Sequence, residues 1–239
     1  MAVATCPMWP GVRRELSVVV ETSLTVRPIG IMNRFVETYA SDVLPLHAKH
    51  GFDLLGGWSR AGGTGQQVVH LHRFDDLAAY EQARASIAGD AAVAAMVEDH
   101  AREMSVTESI MLGETTAYAT DARLKQGRVR EGDPPLTYIQ RVSRARFPHR
   151  PEVARLLARI VDAVEASNAI SLVTAYQAVT GRTSDVTDLF VLPKGEGALP
   201  EANAAERALE GGVVAERFHA LLEDEIVYRL RPLPYSPLQ

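Results

Sequence analysis

The sequence feature that most constrains the fold is an order of strand and helix patterns that occurs twice. The first occurrence begins with a β-branched run from Glu15 to Val26, whose side chains alternate as on a strand. Pro28 then opens a helix, with apolar positions recurring every three or four residues. The stretch from His50 to Asp76 predicts two strands joined by a glycine-rich turn.

A second helix and a fourth strand complete the first occurrence. The helix is predicted over about 77–103, with an aspartate as its N-cap and a break near Gly89. A strand is predicted over 105–112. The order strand, helix, strand, strand, helix, strand is that of the ferredoxin-like βαββαβ fold, of the α+β class.

The same order returns after a polar segment that ends in Pro-Pro. The two copies align without a gap through the hairpin. Trp58 then corresponds to Tyr176, His70 to Asp188 and His72 to Phe190. We therefore predict an internal duplication. The predicted boundaries are a tail at 1–12, a first repeat at 13–116, a linker at 117–135 and a second repeat at 136–236.

A duplication has a structural consequence, because one βαββαβ unit covers only one face of its sheet with helices. Two units can pack their open faces together. The sequence thus predicts tandem ferredoxin-like repeats that close into a barrel-like arrangement within one chain.

Net charge and cysteine content limit which partners and which cellular compartment we expect for the protein. The formal net charge of -5 provides no broad basic surface, so we expect no nucleic-acid partner. Cys6 is the only cysteine, which excludes an intrachain disulfide and suits a reducing cytoplasm. We find no signal peptide and no run near the ~20 apolar residues that span a bilayer. We expect a cytoplasmic protein with no membrane partner; a homo-oligomer stays open.

Two runs carry a family resemblance, PLHAKHGFDLLGGW and GQQVVHLHRFDDLAAYEQARASIAGD. With the duplicated layout, they resemble the NIPSNAP family, within the wider group of dimeric α/β-barrel proteins. The resemblance implies a cavity between the sheets in which a small molecule binds. It also implies relatives among cofactor-free monooxygenases of polyketide metabolism, cyclases, isomerases and some haem proteins. His72 departs from the family pattern, in which we expect an aromatic residue.

The main catalytic candidates are His70 and His72. We assign Val69 and Leu71 to the helix-covered face of their strand, so the histidines should face the barrel interior. An imidazole with an ordinary pKa near ~6.5 can transfer a proton at neutral pH. His70 is the first candidate for proton transfer and His72 the second. Hydrogen-bonded core histidines are the alternative.

Two further roles for these histidines stay open. Asp188, the counterpart of His70, could meet an imidazole across the pseudo-twofold axis and raise its basicity. A metal could be held by both histidines with Glu21 or Asp188 as a third ligand, and the family resemblance also implies haem. Because no clear third ligand is present, we predict no cofactor.

Substrate contacts are expected from residues around the histidines. Trp58 and Tyr176, at matching strand positions, could wall a cavity for a flat ligand or pack in the core. The other candidates for substrate binding are Phe190, Glu21 and Tyr39.

These patterns favour a small-molecule enzyme of specialised metabolism that uses acid–base residues in a barrel cavity, such as a cofactor-free oxygenase, cyclase or isomerase. The first repeat should dominate its site. The alternatives are a non-catalytic small-molecule-binding or protein-interaction module and, third, a haem- or metal-dependent enzyme.

Overall fold

The computed structural model describes residues 17–28, 30–61, 66–102, 104–126 and 136–238. The predicted tail at 1–12, the glycine-rich turn at 62–65 and the later part of the predicted linker, 127–135, lie outside the described residues.

The first half of the chain has the predicted order of elements. Its strands are β1 Val18–Arg27, β2 Leu54–Ala61, β3 Gln66–Phe74 and β4 Ser105–Thr115. Its helices are α1 Met32–Thr38, α2 Leu44–Lys49, α3 Leu77–Ala88 and α4 Ala91–Ala101, with a π-helical turn, Tyr39–Val43, between α1 and α2. The predicted break near Gly89 is confirmed, since Asp90 starts α4 by accepting a hydrogen bond from the Ala92 N–H.

The second half repeats this order after a short helix, α5 Asp121–Gln126. Its strands are β5 Thr137–Ala145, β6 Ser171–Ala178, β7 Asp185–Leu192 and β8 Leu222–Pro232. Its helices are α6 Arg150–Ala166, α7 Leu199–Ala208 and α8 Val213–Ala220. α6 buries one full face, as its apolar spacing predicts.

The eight strands form one closed antiparallel barrel in the order β1-β3-β2-β8-β5-β7-β6-β4. Each half contributes the order 4-1-3-2 of a ferredoxin-like sheet. The halves join at two short seams, where Trp58–Ala61 pair with Arg229–Pro232 and Gly113–Thr115 with Tyr176–Ala178. The fold is therefore α+β with a barrel, as predicted.

The two faces of the barrel wall carry different cores. Inside the barrel, Val19, Leu71 and Trp58 of the first half pack with Tyr138 and Leu189 of the second. The helices cover the outer face and bury separate apolar clusters against each half. None of the described helices is long and apolar enough to cross a membrane.

Candidate functional site

A cavity of about 620 Å³ lies outside the barrel, between the first-half sheet and helices α1–α4. β1, β3 and β4 form its floor, and the helices form its walls. Most of the lining is apolar; examples are Val20, Phe35, Phe52, Ile87, Met96 and Met104. Its size and lining are typical of small-molecule sites.

His72 and His47 are two of the polar residues that line this cavity. Their ring centroids are 5.8 Å apart, and both line the cavity. The Nδ1 atoms of both rings are buried and have no hydrogen-bond partner in the described part of the chain. A buried unpaired nitrogen is costly unless a ligand or water pairs with it.

Burial sets the protonation of both rings. It lowers the pKa of His72 from 6.5 to about 4; the charge of His47 adds to this shift, and backbone hydrogen bonds at Asp53 and Phe52 oppose it. Burial and the charge of His50 also lower the pKa of His47. Both imidazoles are therefore neutral at neutral pH and can accept a proton.

His70 lies behind the cavity wall. Its ring stacks on Tyr39 at 4.3 Å between centroids, and its Nε2 is 2.8 Å from the Tyr235 hydroxyl. The side chain is fully buried, and burial holds its pKa well below the ordinary value. Tyr39, which lines the cavity, separates the His70 ring from it.

The prediction that His70 and His72 face the barrel interior is wrong. Both rings contact helix-side residues, Tyr39 and His47, whereas Leu71 packs in the cluster inside the barrel. Val69 lies on the same face of the strand as Leu71 by alternation. The alternation along β3 was correct, but both faces of this strand are buried. Apolar character therefore does not tell the two faces apart.

Tyr39, a predicted substrate contact, lies on the π-helical turn. The turn presents Tyr39 and Val43 to the cavity, and α2 adds His47 in the same row at four-residue spacing. π-Helical turns occur frequently at functional sites. Burial raises the pKa of Tyr39, so its hydroxyl stays protonated.

The outer part of the cavity is more open. Arg84 and Glu108 lie on its wall, beside the exposed apolar side chains of Val97 and Ile110. Burial raises the pKa of Glu108, and the charge of Arg84 opposes this shift. The cavity thus offers a ligand a cation and a carboxyl group in addition to its apolar lining.

The predicted pairing of Asp188 with a histidine is wrong. Asp188 accepts hydrogen bonds from Tyr118 (2.7 Å) and Arg141 (3.0 Å), on the helix-covered face of the second half. His70 instead pairs with Tyr235. Phe190, on the same face as Asp188, packs in the apolar cluster under α6 and α8 and lies 5.3 Å from the Arg141 guanidinium.

Glu21, Trp58 and Tyr176 lie together inside the barrel, away from the cavity. Glu21 accepts hydrogen bonds from Arg60 (3.1 Å), from Gln140 (2.8 Å) and from the Tyr176 hydroxyl. Trp58 is fully buried with its ring edge on Tyr138. These three residues thus occupy the barrel core, and their role in substrate binding stays a prediction.

The side chains near the cavity that could bind a cofactor fit haem better than a metal ion. Within the described residues, no group of three or more His, Cys, Asp or Glu side chains could hold a metal ion. Haem needs only one imidazole from the protein. His72 or His47, each with an unpartnered Nδ1, could supply it.

The first half also carries a sequence signal that covers every residue of the cavity lining except Val20. Residues 22–116 match the NIPSNAP family model. The predicted resemblance to the NIPSNAP family is confirmed over this range, which contains the cavity floor at β3 and β4 and all four of the helices that cover it. No curated protein matches the chain at a significant level.

Solved structures similar to the whole chain extend the comparison beyond the NIPSNAP segment. A candidate monooxygenase from Fusobacterium nucleatum has a TM-score of 0.65 at 9% identity, covering 92% of this chain and 94% of its own. A second candidate monooxygenase, from Lactobacillus acidophilus, has a TM-score of 0.55 at 11% identity, covering 93% and 98%. A mutant chlorite dismutase from Candidatus Nitrospira defluvii has a TM-score of 0.51 at 9% identity, covering 90% and 92%. At such identities the likeness shows the fold alone.

Sequence reasoning did not single out His47 as a candidate for the site. A signal was present, because Tyr39, Val43 and His47 recur at four-residue spacing and predict one shared helix face. Pro45 interrupted the pattern and hid it. In the structure Pro45 lies in the first turn of α2, where its missing N–H is tolerated.

Proposed function

We propose that the protein is a small-molecule enzyme whose site is the cavity of the NIPSNAP segment, with His72 as the proton-transfer residue. The observation that carries this proposal is the pair of neutral imidazoles, His72 and His47, with unpartnered nitrogens in the lining of an apolar cavity. A base that is unprotonated and desolvated is poised to remove a proton from a bound substrate.

The chemistry follows from the low pKa of His72, about 4. Such a weak base removes only an acidic proton, for example from a carbon next to a carbonyl group or from a phenol. The imidazolium then forms an ion pair with the substrate anion in the low-dielectric cavity. Proton abstraction of this kind is shared by cofactor-free oxygenases, cyclases and isomerases, and the candidate monooxygenases with a similar fold support this group.

In this proposal His70 supports the site from behind the cavity wall. The His70 ring stacks on Tyr39 and is held by a hydrogen bond to the Tyr235 hydroxyl, and together these contacts fix the Tyr39 ring at the cavity wall. We therefore rank His72 above His70 for proton transfer, which reverses the order expected from the sequence. His47, whose ring centroid is 5.8 Å from that of His72, is the second candidate for the base.

The proposal is tested with 5-nitrobenzisoxazole, a flat apolar probe whose ring opens when a base removes its C–H proton. We expect saturable turnover that falls at least about tenfold in His72→Gln. The matched control is His219→Gln, on α8, where 55% of the imidazole side chain is exposed. Turnover that is equal in His72→Gln and in the wild type would overturn the assignment of His72.

The non-catalytic alternative is favoured by the same apolar lining, since a binding module needs the cavity but no base. It predicts saturable binding of the probe without turnover. An Ala88→Trp substitution, which fills the cavity wall, should then weaken binding whereas His72→Gln should not.

The haem alternative is favoured by the unpartnered nitrogens of His47 and His72. Either imidazole would hold the haem iron, and bound haem would supply redox chemistry at the cavity. A haem absorption band in the purified protein that is lost in His72→Gln would support this reading over the cofactor-free one.

We also propose that the chain is a duplicated ferredoxin-like unit, with repeats at 13–116 and 136–236 around a linker at 117–135. The equal strand order in the two halves supports this. In the first part of that linker, α5 forms and Tyr118 is buried. A cytoplasmic location, a small-molecule partner from biosynthesis and assembly into a homo-oligomer complete the proposal.

A further inference from the structure

A second cluster of reactive side chains lies outside the cavity, where the end of α2 meets the junction of α3 and α4. His50 Nδ1 is 2.7 Å from the Ser86 hydroxyl oxygen. On the other side of the ring, His50 Nε2 is 2.9 Å from Asp90 Oδ2. A serine, a histidine and an aspartate are thus joined in one hydrogen-bonded row.

The partners fix the direction of the hydrogen bonds. An ionised carboxylate can only accept, so the His50 Nε2–H donates to Asp90. In the neutral form of the ring, Nδ1 has a free lone pair, and the Ser86 hydroxyl donates to it. This is the tautomer in which a histidine removes the proton of a serine nucleophile, although the roles of the two ring nitrogens are exchanged relative to serine proteases.

Two features favour reaction at these three hydrogen-bonded residues, namely the ionisation of Asp90 and the exposure of Ser86. The Lys49 ammonium, 2.6 Å from Asp90 Oδ2, is the main cause of a pKa of Asp90 far below the ordinary value. Asp90 is therefore ionised at neutral pH. The side chains of His50 and Asp90 are only 8% and 12% exposed, whereas Ser86 is an exposed residue. The base and its carboxylate are shielded from water, and the nucleophile is open.

We propose that Ser86, His50 and Asp90 form a nucleophilic site that accepts acyl groups from small activated esters. The Ser86 oxygen bonds to the ester carbonyl carbon while its proton passes to His50 Nδ1. The bond from that carbon to the leaving oxygen breaks, and the departing alcohol or phenol takes the proton from His50. Water, which gives a proton to the same imidazole, then attacks the acyl-serine ester; the acid is released, and the imidazole returns the proton to the Ser86 oxygen.

A purely structural role is the competing explanation, because the same contacts tie α2 to the start of α4. The chain offers a matched control for it at Ser41, Asp42 and His100. There the Ser41 hydroxyl donates to Asp42 at 2.6 Å, and His100 Nε2 lies 3.2 Å from the other Asp42 oxygen. The residue types are the same, but the serine bonds the carboxylate and not the imidazole, so it is not activated.

The test uses p-nitrophenyl acetate with the intact chain. Nitrophenolate release is followed by absorbance, and the acetylated residue is mapped by peptide mass spectrometry. We expect one acetyl adduct at Ser86, which is lost in Ser86→Ala and kept at the same rate in Ser41→Ala. Acetylation of Lys49 in place of Ser86, or nitrophenolate release that is unchanged in Ser86→Ala, would overturn the proposal.

The role of the base is tested by His50→Ala, which should slow acetylation of Ser86 about 100-fold. Added imidazole should restore the rate, which a loss of structure alone would not allow. Failure of this rescue in a variant that keeps its circular dichroism spectrum would remove His50 as the base.

Asp90 is a positioning residue in this proposal, because it acts through His50. Asn also caps helices well, so Asp90→Asn keeps the cap on Ala92 and removes only the charge. We expect acetylation at least about tenfold slower, with a melting temperature close to that of the wild type. A wild-type rate in Asp90→Asn would exclude the carboxylate from the mechanism.

Discussion

The imidazole rings of His47 and His72 lie 5.8 Å apart between centroids, one on α2 and the other on β3, with their planes tilted by 60°. Both rings line the cavity, and a proton on His47 disfavours one on His72. A bound substrate thus meets two neutral bases that are close neighbours. The contact joins the helix layer to the sheet, so the site depends on the packing of both.

The buried histidines make stability depend on pH. The pKa of His72 is about 4 in the folded protein and near 6.5 in the unfolded chain, so the unfolded chain binds more protons between these values. The free energy of unfolding should fall as the pH drops below 6.5, and the part of this fall that His72 contributes should end near 4. Roughly 3 kcal/mol of this fall belongs to His72. The fall should be smaller by that amount in His72→Phe and unchanged in His219→Phe, measured by urea unfolding at several pH values.

The Tyr235 hydroxyl should stabilise the fold through His70. Tyr235→Phe keeps the stack on Tyr39 but removes the 2.8 Å hydrogen bond, leaving His70 Nε2 buried without a partner. We expect a loss of about 1–3 kcal/mol, seen as a melting temperature lower by several degrees. Tyr228→Phe is the control, because Tyr228 interacts with Arg60 through its ring, 4.1 Å from the guanidinium carbon. Equal melting temperatures of the two variants would contradict the prediction.

The hydrogen-bonded cluster inside the barrel should be sensitive to loss of its carboxylate. Glu21→Ala leaves the buried Arg60 guanidinium without this counter-charge and removes an acceptor from Tyr176. A cost of about 3–5 kcal/mol is expected. Glu98→Ala, which removes an exposed ion pair with Arg102 on α4, should cost at most about 0.5 kcal/mol. Chemical denaturation of both variants measures the difference, and a small effect at Glu21 would mean that water replaces the carboxylate.

Much of the fold could be predicted from the sequence because its patterns are local. The alternation in β1, the helical spacing in α6 and the break at Gly89 each depend on residues within a few positions. The order of these elements then restricted the topology to a ferredoxin-like sheet in each half, and the barrel followed from burying two open faces.

The site could be predicted only in part, because it depends on which of two buried faces meets the helices. Val69 and Leu71 are as apolar as a helix-covered face requires, yet Leu71 packs inside the barrel and Val69 lies on the same face by alternation. Tyr235 lies 165 residues from His70 along the chain, and no local pattern links them. The pairing of Asp188 with Arg141 was equally hidden, since it crosses from β7 to β5.

The close packing of the C-terminal segment on β2 can be tested at Gly57. A Cβ atom at Gly57 would lie 2.9 Å from His70 Cδ2 and 3.1 Å from Tyr235 Cε2, closer than carbon atoms pack. Gly57→Ala should therefore push Tyr235 away from His70 and cost about 1–3 kcal/mol. The Leu233 amide, which donates to the Gly57 carbonyl at 2.9 Å, should exchange its hydrogen faster. In Gly197→Ala the new Cβ would have no atom within 4 Å, so that variant should keep the wild-type stability and exchange rate. If Gly57→Ala matched it in both measurements, the C-terminal segment would not be held against His70 as the structure describes.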